Sequence, residues 1–287
     1  MKPIIYKDTD SAAPQLNLTA GSINALLKSC LITGYGSKAA AGWEVVYEDL
    51  ATNKLAIRST NSKSIKSVLL IKDNATKKAE VNAYISWNNN SNIGVNEFGT
   101  GAFFKNMTGS GSSVKWVVVA TDNFFYLWTQ NDFGYPILGV VSAFGDAKSF
   151  VNTADYSVLM ALATTATDTP SSATHTSVRI STGGVANFAT SPFKQEYAGL
   201  GDRQTAADRS SVSPTIFSEY VLYDTANSKI SPALSLKGLL MPYAEVVTPP
   251  VIDGLPTLVD QVPFINPVIG LRQPYAGHIW LHTDDWG

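Results

Sequence analysis

The stretch AGSINALLKSCLITGYGSKAAAGWEVVY, residues 20–47, predicts one short helix that passes through a tight glycine turn into a strand. Its apolar side chains recur every three to four residues, which places them on one stripe of a helix. The stripe consists of Ile23, Leu26, Leu27, Cys30 and Leu31. We therefore expect a helix over residues 22–32 whose apolar face is buried against a sheet.

The residues at both ends of this segment fit the ends of a helix. Ser22 is placed to cap the first turn, and the positive charge of Lys28 suits the negative end of the helix dipole. Gly34 and Gly36 permit the left-handed backbone conformations that stop a helix. We therefore expect the helix to end before Gly34 and the chain to turn there.

The run LLKSCLITGYGSKAAAGW, residues 26–43, resembles the opening signature of a family of structural proteins from the virions of tailed bacteriophages and prophages. In that family a leucine-rich helix precedes a Gly-Tyr-Gly or Gly-Phe-Gly turn, a run of small residues and a tryptophan that begins a strand. The matching positions here are Leu26, Leu27, Gly34, Gly36 and Trp43. Residues 115–128, 144–150 and 220–242 also resemble the family.

The resemblance implies a location in a virion and supplies no catalytic residues, because the family is structural and has no agreed activity. We therefore expect a non-enzymatic structural subunit of the particle, in the tail or baseplate rather than the head. Its expected partners are other virion proteins and copies of itself. The alternatives are a receptor- or glycan-binding virion module and a capsid-associated head decoration protein, and an enzyme is the third class.

Composition indicates a folded protein with a weakly charged surface. Of the 287 residues, 45% are apolar and 15% are charged, so serine, threonine, asparagine and glycine must cover much of the surface. Such a surface is easily desolvated, which suits a protein packed among neighbours and equally a secreted β protein. The net charge is −2 and the basic residues are dispersed, which argues against a nucleic-acid partner.

Targeting and membrane segments are not expected. The opening residues, MKPIIYKDTD, lack the apolar core of a signal peptide. The sequence contains no run of about 18 apolar residues, the length that a membrane-spanning helix needs. We therefore expect synthesis in the host cytoplasm, no membrane span, and a soluble chain until it assembles into the virion.

Alternating apolar and polar residues predict an antiparallel sheet in the first half of the chain. The clearest strand spans residues 79–87, where every second side chain is apolar, as in a sheet with one buried and one exposed face. Its apolar residues are Ala79, Val81, Ala83, Ile85 and Trp87. Further strands are expected over residues 43–48, 54–58 and 65–71, the first two as a hairpin.

A second hairpin is predicted over residues 115–129, with its turn at Thr121, Asp122 and Asn123. Both of its arms are apolar nearly without alternation, which is typical of strands buried on two faces. We therefore expect this hairpin at the centre of the sheet, with the helix covering one face.

The second half of the chain has weaker patterns. Strands are expected over residues 135–144, 177–180, 185–189, 217–223 and 237–241, and residues 155–163 fit a strand or a short helix equally. Three stretches rich in small and polar residues are expected to be loops: residues 88–113, interrupted only at residues 102–104, residues 163–176 and residues 195–214. The expected fold is mainly β, or α+β by strict count, with antiparallel sheets and one β-rich domain over residues 1–247.

Residues 248–287 are expected to form an extended C-terminal arm. Prolines at this density forbid a helix and weaken sheet pairing; they are Pro249, Pro250, Pro256, Pro263, Pro267 and Pro274. The arm also holds apolar side chains that something must cover, among them Phe264, Ile265, Leu271 and Trp280. We expect it to pack against a neighbouring subunit as well as its own domain, and an arm folded back on its own core is the alternative.

No residue pattern predicts a catalytic, metal or cofactor site. His278 and His282 are four residues apart, as in a metal pair on a helix. Their short, proline-flanked segment favours a strand, in which His278, Trp280 and His282 share an ordinary contact face. Cys30 is the sole cysteine, which excludes an intrachain disulfide, and its place on the helix stripe predicts a buried side chain.

Aromatic residues are concentrated between residues 87 and 128 and allow two interpretations. Exposed aromatic rings stack on sugars, whereas the aliphatic neighbours of these residues favour packing in the core. The residues concerned are Trp87, Phe98, Phe103, Phe104, Trp116, Phe124, Phe125, Tyr126 and Trp128. The glycan-binding alternative expects exposed aromatic rings in residues 88–104, at Phe103 and Phe104 above all.

Overall fold

The structure is a computed structural model, and it describes residues 2–74, 77–105, 114–130, 139–149, 156–162, 176–180, 217–224, 229–242, 264–265, 278–281 and 286. These residues form antiparallel strands and one short helix, so the predicted fold class is confirmed. Several expectations lie outside the described residues: the loop over 195–214, the loop over 163–176 except its last residue, the strand over 185–189, Leu271 and His282.

The strands of the first half are β1 (Ile4–Lys7), β2 (Trp43–Asp49), β3 (Lys54–Ser59), β4 (Val68–Lys72), β5 (Lys78–Asn88), β6 (Ile93–Phe104), β7 (Lys115–Ala120) and β8 (Phe124–Gln130). Those of the second half are β9 (Gly139–Ser149), β10 (Tyr156–Leu162), β11 (Thr176–Ile180), β12 (Phe217–Asp224), β13 (Lys229–Pro242), β14 (Phe264–Ile265) and β15 (His278–Leu281). The helix α1 (Ser22–Lys28) continues into a π-helical turn, Ser29–Thr33. Residues 156–162 of the ambiguous segment therefore form a strand.

The main sheet has the strand order β1-β7-β8-β9-β10-β6-β5-β4-β3-β2, with every neighbouring pair antiparallel. The strand β11 pairs with β10. A second antiparallel group joins β13 to β12 and β15, and β13 also pairs with β9. The described residues therefore form two connected antiparallel sheets.

The helix α1 packs inside the curve of the main sheet. Its predicted stripe is confirmed, because Leu26 and Leu27 are fully buried together with the other stripe residues. They share one cluster with Leu55 of β3 and Val118 of β7, although these strands lie near opposite ends of the strand order. The sheet must curve around the helix for both to touch it, and each buried leucine contributes roughly 2 kcal/mol.

The helix begins differently from the prediction, because Ser22 is not the cap. Gly21 precedes the helix, and the Ser22 hydroxyl donates to the carbonyl of Asn17 at 2.7 Å. The amide of Ile23 instead donates to the Asp73 carboxylate at 2.9 Å. Asp73 therefore supplies from a distant part of the chain the acceptor that the first turn of a helix needs.

The Asp73 carboxylate also forms a buried ion pair. Its second oxygen lies 2.6 Å from Nζ of Lys105, and both side chains are completely buried. Lys105 further donates to the carbonyl of Thr19 at 2.6 Å. Burial raises the pKa of Asp73, while the ammonium of Lys105 acts in the opposite direction. The pair joins the helix entrance to the end of β6.

A long hairpin of β5 and β6 replaces most of the loop that the sequence predicted over residues 88–113. The two strands pair from Lys78 opposite Phe104 to Asn88 opposite Ile93, so the loop prediction is wrong for residues 93–101. Asparagine and glycine have low strand propensity, but here the backbone hydrogen bonds to β5 override it.

The predicted hairpin over residues 115–129 is confirmed as β7 and β8, which are buried on both faces. Its expected place at the centre of the sheet is wrong, because β7 lies beside the edge strand β1. On the helix side the hairpin carries Phe125 and Leu127. On the other side, Tyr126 packs against Phe124 and Trp286.

The described part of residues 248–287 contacts its own chain. The strand β14 pairs with β15, and β15 pairs with β13, so Phe264 and Ile265 as well as Trp280 lie in paired strands. Trp286 is only 8% exposed, and its ring meets Tyr126 edge-on at 5.7 Å. These contacts agree with the alternative in which the arm folds back on its own core.

Trp286→Ala is expected to lower the free energy of unfolding by about 3 kcal/mol, because it uncovers the buried ring of Tyr126 and leaves a cavity. Urea unfolding followed by circular dichroism measures the change. Trp286→Phe, which keeps a ring in place, is the control and is expected to cost about 1 kcal/mol. Equal stability of the alanine variant and the parent chain would show that Trp286 does not pack on Tyr126 in solution.

Candidate assembly surface

The signature turn fastens the N-terminal segment to the body of the protein. The hydroxyl of Tyr35 donates to the carboxylate of Asp10 at 2.9 Å. Nζ of Lys38 lies 3.5 Å from the other Asp10 oxygen and donates to the carbonyl of Ile5 at 2.9 Å. The hydroxyl of Tyr6 donates to a carbonyl in the run of small residues, that of Ala39, at 2.7 Å. The turn therefore makes its contacts within the chain.

Two glycines of this turn are required by the backbone. Gly34 ends the helical segment with φ 74°, as the sequence predicted, and Gly36 has φ 53°. A Cβ at Gly34 would lie 2.5 Å from the carbonyl oxygen of Lys38, and one at Gly36 would lie 2.6 Å from that of Ser11. Larger residues are strained at both positions.

Trp43 joins the start of β2 to the turn of the second hairpin. Its side chain is buried, and its indole Nε1 donates to the carbonyl of Thr121 at 2.8 Å. Its ring meets that of Phe125 edge-on at 5.4 Å. Trp43 and the leucines of α1 belong to one buried cluster. These residues of the signature therefore pack inside the subunit.

Gly36→Ala is expected to reduce the free energy of unfolding by about 2 kcal/mol, because the new Cβ meets the Ser11 carbonyl and the left-handed backbone is strained. Thermal melting with a matched urea titration measures the loss. Ser37→Ala changes the adjacent, exposed residue and is the control. Its free energy of unfolding should stay within about 0.5 kcal/mol of that of the parent chain. Equal melting curves for Gly36→Ala and Ser37→Ala would contradict the close approach of Ser11 to the turn.

A second apolar cluster, the outer aromatic cluster, lies on the face of β2–β5 that points away from the helix. Its buried base consists of Ala56, Val68 and Leu70, and the partly exposed rings of Tyr47, Tyr84 and Trp87 cover that base. The rings of Tyr47 and Trp87 stack at 5.9 Å, and Tyr84 meets Trp87 edge-on at 6.1 Å.

The position of Trp87 corrects one prediction. The alternation in β5 placed it on the face of Ala79, whereas its ring packs in the outer aromatic cluster. The β5–β6 register shifts between Ala83 and Tyr84, and Asn96 on the facing strand has φ 56°. The hairpin is therefore irregular in this region, and the simple alternation of a straight strand does not hold at Trp87.

The aromatic residues between 88 and 104 do not form a sugar-binding surface. Phe98, Phe103 and Phe104 are all buried, so the expected exposure of Phe103 and Phe104 is wrong. Phe103 packs edge-on against Phe125 in the main core. Core packing is confirmed for these residues.

Beyond Tyr84, the β5–β6 hairpin continues as a two-stranded extension, residues 85–97, here called the ribbon. The last β4 residue along this direction, Val68, pairs with Tyr84, and β10 pairs with β6 at Ala102. Within the described ranges the ribbon strands therefore pair only with each other. Ile93 is 60% exposed and Val95 is 37% exposed on the ribbon.

The ribbon is fixed to the body by its aromatic side chains. The ring of Tyr84 lies so close to Gly94 that any Cβ there would collide with it. Trp87 anchors the other strand by stacking on Tyr47. Burial raises the pKa of Tyr84 to about 12, and the carboxylate of Glu97 adds to the shift. The Glu97 carboxylate also accepts a hydrogen bond from the side-chain amide of Asn82 at 3.2 Å.

The ribbon carries almost no charge. The sequence has no charged residue between Glu80 and Glu97. Sequence reasoning missed this surface because two isolated apolar residues among asparagines give no periodic signal. The uncharged run between Glu80 and Glu97 is the sequence feature that indicates this surface.

Comparison of the chain with protein-family models, with curated proteins and with solved structures found no match. Within the described ranges, no three or more His, Cys, Asp and Glu side chains are grouped to hold a metal ion. His278 lies in β15, so it takes no part in a helical metal pair. The helix in the described part of the chain is too short to cross a membrane.

The geometry of the ribbon suits contact between protein chains. Strand edges offer backbone donors and acceptors to another strand. Exposed Ile93 and Val95 add apolar area that a partner would cover. The surface thus has the features of an assembly contact.

Proposed function

We propose that this protein is a non-enzymatic structural subunit of a tailed-phage virion, belonging to the tail or baseplate rather than the head. The observation that carries the proposal is the ribbon, which is anchored, nearly uncharged and exposes Ile93 and Val95. Rigid uncharged surfaces with exposed apolar side chains favour permanent contacts between proteins. The resemblance of residues 26–43 to a virion signature supplies the kind of particle.

The internal roles of the signature residues are consistent with this proposal. Leu27 and Trp43 stabilise the core, while Lys38 holds the N-terminal segment through Asp10. A subunit that is fixed in this way presents its surfaces in constant positions. Constant geometry is what repeated assembly around a particle axis requires.

The proposal is tested by locating the protein in purified particles of the phage or prophage that encodes it. A gold-labelled polyclonal antibody raised against the whole protein is imaged by electron microscopy, and mass spectrometry of the same particles detects the protein itself. Label on the tail or baseplate is the expected result. Label on the capsid would favour the alternative of a head decoration protein. Particles that contain neither the label nor the protein would refute the virion proposal.

The receptor- or glycan-binding alternative is favoured by one observation, the outer aromatic cluster. The rings of Tyr47, Tyr84 and Trp87 are partly exposed, and aromatic rings of this kind have an apolar face with a polar tip. If this function is correct, soluble polysaccharide from the host surface raises the melting temperature, and Trp87→Ala removes the rise. Leu50→Ala, at an exposed position outside the cluster, is the control. No rise with the parent chain would exclude the alternative for that polysaccharide.

A further inference from the structure

We propose that Lys105 and Asp73 become joined by an isopeptide bond, an amide between Nζ of the lysine and Cγ of the aspartate, which the folded chain forms by itself. The structure holds the two side chains in the arrangement that precedes this bond. The reaction is the condensation of an amine with a carboxylic acid. It modifies the interior of the subunit, so the inference goes beyond the proposed function and does not depend on it.

The first observation is the close and dry contact between the two reacting groups. Nζ of Lys105 lies 2.6 Å from Oδ1 of Asp73, and both side chains are 0% exposed. Oδ1 nevertheless accepts no hydrogen bond from the described residues, so the angles of this contact are not those of a hydrogen bond. The two groups therefore touch at the distance of an ion pair but without the alignment of a hydrogen-bonded one.

The second observation is that the backbone of both reacting residues is fixed. The amide of Asp73 donates to the carbonyl of Asn53 at 3.0 Å, and its carbonyl accepts a hydrogen bond from the amide of Gly21 at 2.9 Å. The amide of Lys105 donates to the carbonyl of Lys77 at 2.8 Å. Reacting groups that are held in contact reach effective concentrations of about 10⁵ M or more, so the fold itself brings the amine to the carboxyl group.

Burial favours the uncharged forms that the reaction needs. It raises the pKa of the Asp73 carboxyl and lowers the pKa of the Lys105 ammonium, against the attraction between the two charges. A proton that moves from Nζ to Oδ1 leaves a neutral amine beside a neutral carboxylic acid. The neutral amine is the nucleophilic form of lysine.

The reaction balances without any further reactant. The lone pair of Nζ attacks Cγ of Asp73, the N–C bond forms, and the bond between Cγ and Oδ1 breaks. Oδ1 leaves as water, with the proton that it has already received and a second proton from Nζ. Oδ2 stays as the amide oxygen. It already accepts the backbone N–H of Ile23 at 2.9 Å, which also stabilises the negative charge that develops on Oδ2 during the attack.

The surroundings of the pair also fit the product. Nζ donates to the carbonyl of Thr19 at 2.6 Å, so the single N–H of the new amide keeps an acceptor. The new amide oxygen keeps the N–H of Ile23. The bond therefore replaces two buried charges, which are costly to desolvate, with a neutral amide whose donor and acceptor are both paired.

The bond closes a covalent ring over residues 73–105. Asp73 follows β4 and Lys105 follows β6, so this ring contains the whole β5–β6 hairpin, with the ribbon at its far end. A link that closes a long loop removes conformational freedom from the unfolded chain. The base of the hairpin is then held covalently as well as by its hydrogen bonds.

The test is the mass of the intact parent chain, measured by mass spectrometry under denaturing conditions. We expect the parent chain to be lighter than its sequence by one water. Lys105→Arg keeps the positive charge but removes the amine, so it is expected to have the full mass of its sequence. Lys28→Met removes a lysine from the partly exposed pair with Glu48 and is the control. It is expected to lack one water, as the parent chain does.

Digestion with trypsin locates the bond. We expect one branched fragment in which residues 73–77 are joined to residues 79–115, because trypsin does not cut after a lysine whose Nζ is part of an amide. Leu27→Asp, which disrupts the core, is expected to keep its full mass and the cut after Lys105, since the reaction needs the folded chain. A parent chain of full mass, a water lost elsewhere in the parent chain, or a water lost from Lys105→Arg or Leu27→Asp would each overturn the proposal.

Discussion

Leu27→Asp is expected to leave the chain unfolded at room temperature. Leu27 is completely buried between the helix and the curved sheet, so the variant loses a core side chain and buries an unpaired charge. Together these changes cost at least about 5 kcal/mol. Single domains are stable by roughly 5–15 kcal/mol in total, so most of the molecules are expected to be unfolded.

Circular dichroism and thermal melting measure the effect of Leu27→Asp. Ala25→Asp is the matched control, because it adds the same charge to the same helix at an exposed position. The control is expected to change the free energy of unfolding by no more than about 0.5 kcal/mol. A cooperative melting curve for Leu27→Asp at the temperature of the parent chain would contradict the burial of the helix stripe.

Lys105→Met is expected to lower the free energy of unfolding by about 4 kcal/mol, because it leaves the Asp73 carboxylate buried without its partner. The pair is completely buried and its charged atoms lie 2.6 Å apart. The Asp73 carboxylate also accepts a hydrogen bond from the backbone amide of Ile23. The loss of Lys105 is therefore expected to disturb the start of the helix as well. Urea unfolding at neutral pH measures the loss.

A second change separates the charge from the loss of packing. Asp73→Asn combined with Lys105→Met removes both charges and keeps an oxygen for the amide of Ile23, so it is expected to recover about half of the lost stability. Lys28→Met, which breaks the partly exposed pair with Glu48, is expected to cost less than about 1 kcal/mol. Similar losses of stability for Lys28→Met and Lys105→Met would show that the Lys105–Asp73 pair is hydrated in solution.

The elements with strong local patterns were predictable from the sequence. The stripe through Leu26 and Leu27 gave the helix and its buried face, and Gly34 gave its end. Apolar runs gave β7 and β8, and alternation gave most of β5. In each of these elements the residues that decide the structure are close in sequence.

The remaining features depend on residues that are distant in sequence. The cap of α1 is Asp73, which no pattern around Ser22 reveals. The strand β6 forms because β5 supplies its hydrogen bonds, although its own composition is typical of a loop. Trp87 packs in the outer aromatic cluster, although the alternation of β5 alone predicts the other face.

The candidate assembly surface was predictable only in part. The sequence correctly assigned the aromatic residues of 88–104 to the core, with the sugar-binding interpretation as the alternative. It did not identify Ile93 and Val95, because their exposure depends on where β4 and β10 stop pairing with the hairpin. Strand ends are set by the whole sheet, so local propensity does not locate such a surface.

The pairing of β1 with β7 has a consequence for biosynthesis. Ile4 pairs with Ala120, and the helix entrance needs both Asp73 and Lys105. The first strand therefore has no strand partner until β7 has been made, and the helix entrance lacks the ammonium of Lys105 until β6 is complete. Contacts between such distant residues form slowly. The β1 edge of the sheet is therefore expected to close only after β7 has left the ribosome.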